Sequence, residues 1–114
     1  MPTRKPPERA SILQGTLDLL ILRTLARGPH HGHGIALGIQ HSSNQALLVD
    51  HGSLYPALQR MLIKGWVQAE WGISETNRKV RFYKLTPAGR KQLQSEMNDF
   101  DRVLQGIQAV LSKA

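Results

Sequence analysis

A mainly α-helical fold with one small β-hairpin is predicted by three features of this 114-residue chain. Apolar residues recur at helical spacing in three segments before Gly65. The period then changes to alternation between Trp66 and Leu85. Beyond it, a heptad row of apolar residues runs from Leu93 to Leu111. Hydrophobic residues make up 40% of the chain and charged residues 20%, a composition that supports one packed core.

Met1 to Arg9 holds Pro2, Pro6 and Pro7 and no apolar anchor, so residues 1–11 are expected to form a flexible basic arm. The first helix is predicted over Thr16 to Arg27. Leu17, Leu20, Ile21 and Leu25 share one face, Leu19 and Leu22 widen it, Thr16 is the expected N-cap and Gly28-Pro29 the stop. A second helix, weakened by glycines, is predicted from His30 to His41 with Ile35 and Ile39 on its apolar face. Ser42, Ser43 and Asn44 then mark a loop. The third helix, Gly52 to Lys64, aligns Leu54, Leu58, Met61 and Leu62. Ser53 is its expected N-cap, which puts Pro56 in the first turn, and Gly65 ends it. Trp66 to Trp71 and Val80 to Leu85 read as strands joined by the polar tip Gly72 to Lys79. Both tryptophans are expected to close the small core. Thr86-Pro87 is an N-cap followed by proline at N1, opening a helix that runs to the C-terminus.

The formal net charge is +7 with histidine neutral. Residues 52–85 hold Arg60, Lys64, Arg78, Lys79, Arg81 and Lys84 against Glu70 and Glu75, so +4 of the excess sits on the third helix and hairpin. Such a concentration implies a polyanionic partner, nucleic acid before an anionic membrane surface. No helix joins a strongly basic face to an apolar one, and the run Leu19 to Leu22 is too short to span a bilayer, so no membrane partner is expected. Met1 to Arg9 lacks the apolar stretch of a secretory signal. The absence of cysteine excludes a disulfide framework, a thiolate zinc site and a cysteine nucleophile, and fits a cytoplasmic location. His30, His31 and His33 cluster without a neighbouring carboxylate, so no metal site is expected. There is no Gly-x-Ser-x-Gly elbow, phosphate-binding glycine loop or paired acid motif; neither enzyme activity nor a cofactor is expected.

Three helices followed by a two-stranded hairpin is the order of a winged helix-turn-helix, assigned here to residues 12–86. Its third helix would enter the major groove of double-stranded DNA while the hairpin, the wing, touches phosphates. The candidate DNA contacts are Ser53, Tyr55, Pro56, Gln59, Arg60 and Lys64 of that helix, with Arg78 and Lys79 of the wing. The alternative, a winged-helix module for protein–protein contact, would not need cations at the wing tip. In the terminal helix, residues 87–114, the seam Leu93, Met97, Phe100, Leu104, Ile107 and Leu111 is thickened by Val103 and Val110. That is too much apolar surface for a solvated helix, so a homodimer interface is expected.

Four runs carry a family resemblance: Gly15-Thr16-Leu17-Asp18-Leu19-Leu20-Ile21-Leu22, His31-Gly32-His33-Gly34-Ile35, Gly52-Ser53-Leu54-Tyr55-Pro56-Ala57-Leu58 and Tyr83-Lys84-Leu85-Thr86-Pro87-Ala88-Gly89. Together they resemble the PadR family of bacterial transcription regulators over nearly everything from Leu13 onward. The resemblance implies a dimeric winged-helix repressor on an inverted-repeat operator, similar to the short form with a single C-terminal dimerisation helix. It implies that Tyr55, its neighbours and the basic wing residues approach DNA, and a small-molecule effector joins the expected partners. The chain departs from the family at His33, where tyrosine is usual, and at Gly34, where a carboxylate is common.

Overall fold

The computed structural model describes residues 10–11 and 14–113. Its elements in chain order are β1 (Ala10–Ser11), α1 (Gln14–Leu25), β2 (His30–His31), α2 (Gly32–Ser42), β3 (Leu47–Leu48), α3 (His51–Lys64), β4 (Val67–Ile73), β5 (Lys79–Leu85) and α4 (Pro87–Leu111). The three helices, hairpin and long terminal helix therefore occur in the expected order. Met1–Arg9, most of the segment read as an arm, lies outside the described residues. Ala10 and Ser11, its last two positions, pair in parallel with Leu47 and Leu48.

Local differences from the expected boundaries have physical causes. α1 begins at Gln14, so Thr16 lies inside the helix and does not cap it. His30 and His31 form a strand instead of the first turn of a helix: they pair antiparallel with Tyr83 and Phe82, covering the otherwise open edge of β5. The sheet is thus three-stranded, β2-β5-β4. His31 also caps α2, its Nδ1 accepting from the Gly34 N–H at 3.0 Å. At α3 the cap is Asp50, whose carboxylate accepts from the Gly52 N–H at 3.2 Å, and Ser53 falls within the first turn. Starting at His51, the helix carries Pro56 in its interior, beyond the first turn. The missing proline N–H leaves the Gly52 carbonyl without its helical donor, and Gly52 is exposed to water. Gly65 closes α3 in the left-handed region, φ 77°, where a Cβ would be strained.

The core forms where the apolar faces converge. Leu17, Ile21, Leu22 and Leu25 of α1 pack with Ile35 and Ile39 of α2, with Leu54, Leu58 and Met61 of α3, and with Val67, Tyr83 and Leu85 of the hairpin. Full burial contributes about 1.5–3 kcal/mol for each large aliphatic side chain, so this convergence dominates the domain's stability. Leu93, read as the first residue of the intermolecular seam, belongs to this same core and is only 8% exposed. The start of α4 is packed on its own domain, which removes Leu93 from the surface. Trp66 packs partly buried against the core as expected. Trp71 does not: it is 62% exposed, because the hairpin extends past the edge of the helical layer.

Candidate nucleic-acid interface

On α3 the apolar stripe holds the helix in the core, and the opposite side is left to solvent. Ser53, Tyr55, Pro56, Gln59 and Lys64 are all exposed there. Tyr55, 46% exposed, leans over the first residue of α2. A Cβ at Gly32 would lie 2.5 Å from the Tyr55 hydroxyl, so glycine at 32 is what lets the ring seat.

Arg60 is placed differently from the other candidates. Its Nη1 and Nη2 donate to Asp18 Oδ2 and Oδ1 at 3.1 and 3.2 Å, a two-point pair that ties α3 to α1. Burial raises the Asp18 pKa above the ordinary aspartate value of 3.8, while the Arg60 and Lys64 charges pull it down and only partly offset the rise. Arg60, its side chain 42% exposed, is therefore held against α1 by Asp18 rather than extended freely from the face.

The wing is built by the β4–β5 ladder, which runs from Val67 opposite Leu85 to Ile73 opposite Lys79. Its tip turns through Asn77, φ 62°, with the Arg78 N–H donating to Ser74 Oγ at 3.2 Å. Arg78 and Lys79 are exposed on it. Trp71 stands opposite Arg81, with the Lys79 ammonium 5.1 Å and the Arg81 guanidinium 5.8 Å from its ring centroid.

Between wing and helices lies an open groove of about 770 Å³. Tyr55 contributes from α3, His31 and His33 from the start of α2, and Trp71, Arg78 and Arg81 from the wing. A file of rings runs along its floor and beyond: Phe82 to His31 at 5.6 Å, His31 to His33 at 6.4 Å, His33 to His51 at 6.0 Å and His51 to Tyr55 at 5.9 Å, with His31, His33 and Tyr55 lining the groove. Among the described residues no group of three or more His, Asp or Glu is placed to hold a metal ion. Trp71, Arg81 and the histidines are groove residues that sequence reading did not assign. Alternation could have shown Trp71 on the same sheet face as Val67 and Ala69, but not that this face outruns the core.

Away from the groove, α4 leaves Met97, Phe100, Leu104, Ile107 and Leu111 exposed, with Val103 and Val110 beside them. Met97, Phe100 and Leu104 line a shallow groove of about 410 Å³ with Leu19 and Leu20 of α1. No helix among the described residues is long and apolar enough to cross a membrane.

Three helices, a basic wing and a long terminal helix define a winged helix-turn-helix protein. The chain belongs to the transcriptional regulator PadR-like family, whose model matches residues 21–95. It is thus a transcription regulator, of a family of regulators and not of enzymes. It is similar to a transcriptional regulator from Clostridium thermocellum, with a TM-score of 0.77 and 24% identity over 84% of this chain and 93% of that one. A PadR-like transcriptional regulator from Bacillus cereus matches with a TM-score of 0.75 and 22% identity over 90% and 97% of the two chains. At these identities the likeness is one of fold. In sequence, the chain is 26% identical to an uncharacterized protein X of Lysinibacillus sphaericus over 83% of this chain and 87% of that one. It is 39% identical over 75% of its length to an uncharacterized 37.1 kDa protein in transposon TN4556 of Streptomyces fradiae, of which it spans 23%.

Proposed function

We propose that this regulator is a DNA-binding repressor that acts as a homodimer on an inverted-repeat operator. One observation carries the reading: the exposed ring of α3 and the cations of the wing line a single groove. A sugar–phosphate strand in that groove would meet Arg78 and Arg81, with Lys79 exposed beside them on the wing, and such cations position the duplex without reading it. Ser53, Tyr55, Pro56, Gln59 and Lys64 form the exposed face of α3, and the Gln59 amide has the donor–acceptor pair that adenine requires. Arg60 enters this reading as a brace that orients α3 through Asp18. The uncovered row from Met97 to Leu111 is the surface on which a second copy of the chain docks, bringing two α3 helices to half-sites about one helical turn or a multiple apart.

The test uses duplexes that the full-length protein selects from a random pool, titrated beside scrambled duplexes of the same composition at several salt concentrations. Selective, salt-dependent binding is expected. Gln59→Ala should erode the preference by about 1–3 kcal/mol at one base pair while the melting temperature holds. Equal affinity for selected and scrambled duplexes would overturn specific recognition, and a flat salt response would overturn DNA binding itself.

A further inference from the structure

The point where α3, the wing and α4 meet is tied more tightly than a simple connection between domains requires. The Thr86 N–H donates to the Trp66 carbonyl at 3.0 Å. The Thr86 hydroxyl lies 2.7 Å from the Gly65 carbonyl and 3.0 Å from that of Trp66, and it accepts the Gly89 N–H at 3.0 Å. One side chain thereby caps α4 and at the same time fastens it to Gly65 and Trp66, the turn that closes α3 and leads into β4. Thr86 is the buried polar residue of the described core, 8% exposed. Gly89 brings the first turn of α4 onto the same carbonyl: a Cβ there would stand 2.1 Å from the Trp66 oxygen. Backbone touches backbone at that contact, so no rotamer change could relieve it.

We infer that this joint, with Thr86 as its positioning residue, sets the spacing of the two DNA half-sites. The inference rests on the proposed reading of a homodimer on an inverted repeat. Within such a dimer, docked through the exposed row of α4, the angle at which α4 leaves its domain, held by this joint together with the packing of α4 on α1, sets the distance between reading heads. α4 has 25 residues. At about 1.5 Å per residue it is a lever of roughly 37 Å, and a tilt of about 10° at its base moves its far end by roughly 6 Å, nearly two base-pair steps of about 3.4 Å. A flexible joint would accept several spacings; a fastened one selects a single spacing. A threonine that neither touches DNA nor lies in the dimer seam thus contributes to specificity.

The chain has no cysteine, so His41→Cys, at an exposed position near the end of α2 and away from the groove, places one spin label on each DNA-binding domain of the full-length protein. Pulsed dipolar spectroscopy should give one narrow distance that does not change when the selected duplex is added. Thr86→Val, which keeps the shape and removes the hydroxyl, should broaden that distance, and Thr86→Ser should restore it. On duplexes whose half-sites are moved apart by one or two base pairs, the unlabelled wild type should lose about tenfold in affinity, whereas Thr86→Val should lose less. A wild-type distance that shifts on adding duplex would overturn the joint without any need for a folded variant. So would a folded Thr86→Val dimer with the wild-type distance and spacing profile. A chain that sediments as a monomer and gives no inter-label distance would remove the dimer reading itself, a separate result.

Discussion

At Asp18 two opposing effects act on one carboxyl. Burial disfavours its charge, and the Arg60 guanidinium, with Lys64 behind it, restores only part of what is lost. The folded pKa therefore lies above the unfolded one, and ionised Asp18 is disfavoured by folding. Its contribution to stability is complete below 3.8, the unfolded value, and is lost as pH rises through the folded value. Relative to wild type, Asp18→Asn should thus gain melting temperature as pH rises from the acid side and then level off at neutral pH. A wild type that gains on the variant over that range would contradict this assignment. The pair's use lies in the direction it gives α3, in keeping with the modest net stability of partly buried ion pairs. Gly32 offers a second test at this scale. Gly32→Ala puts a methyl where the Tyr55 hydroxyl rests, and the exposed ring can swing away. Affinity for the selected duplex should fall while the melting temperature changes little. In a Tyr55→Ala background the same substitution should have almost no further effect, a coupling that a double-mutant cycle reads directly.

Among the elements, the wing and the second helix show how neighbours decide local structure. His30 and His31 sit in a glycine-rich stretch that reads as the start of a helix, yet β5 offers an open edge and takes them as a strand. The capping of α2 by His31 follows from that shift. The wing is a simple ladder whose tip cations project beyond the core. In the proposed complex they neutralise phosphates, so Arg78→Ala with Lys79→Ala should weaken binding to selected and scrambled duplexes alike. The dependence of log affinity on log salt should flatten by about 0.9 for each phosphate left without its cation. An unchanged slope would place the wing away from the DNA.

For the molecule as a whole, α4 divides into a part that stabilises its own domain and a part that does not. Leu93 is core, whereas Leu104 lies in the uncovered row. Leu93→Ala should therefore lower stability by about 2–5 kcal/mol, the range for deleting a buried leucine. Leu104→Glu should leave the fold of each chain intact but disfavour association by several kcal/mol, since a charge buried unpaired against a second copy is costly. Sedimentation and thermal melts of both variants separate the two roles. A Leu104→Glu chain that remains dimeric at micromolar concentration would remove this row from the interface.

Hydrophobic period determined the order of the four helices and the hairpin and the apolar face of each helix, because core burial enforces that period along the chain, whereas the two-residue strands β1, β2 and β3 exist only through their distant partners. Thr86-Pro87 and Gly65 were legible for a similar reason: caps and stops act within a few residues. The groove was legible in part, through Tyr55 and Arg78. Tertiary structure alone decided which seam residue is core, since Leu93 and Leu104 share a period and differ only in what lies above them. It also decided that Arg60 faces Asp18, a partner 42 residues away, and that Trp71 is exposed where the hairpin outruns the helices. Periodicity records which side of an element faces inward. It does not record where a neighbouring layer ends or which distant charge a side chain meets, and those two quantities set the composition of the groove.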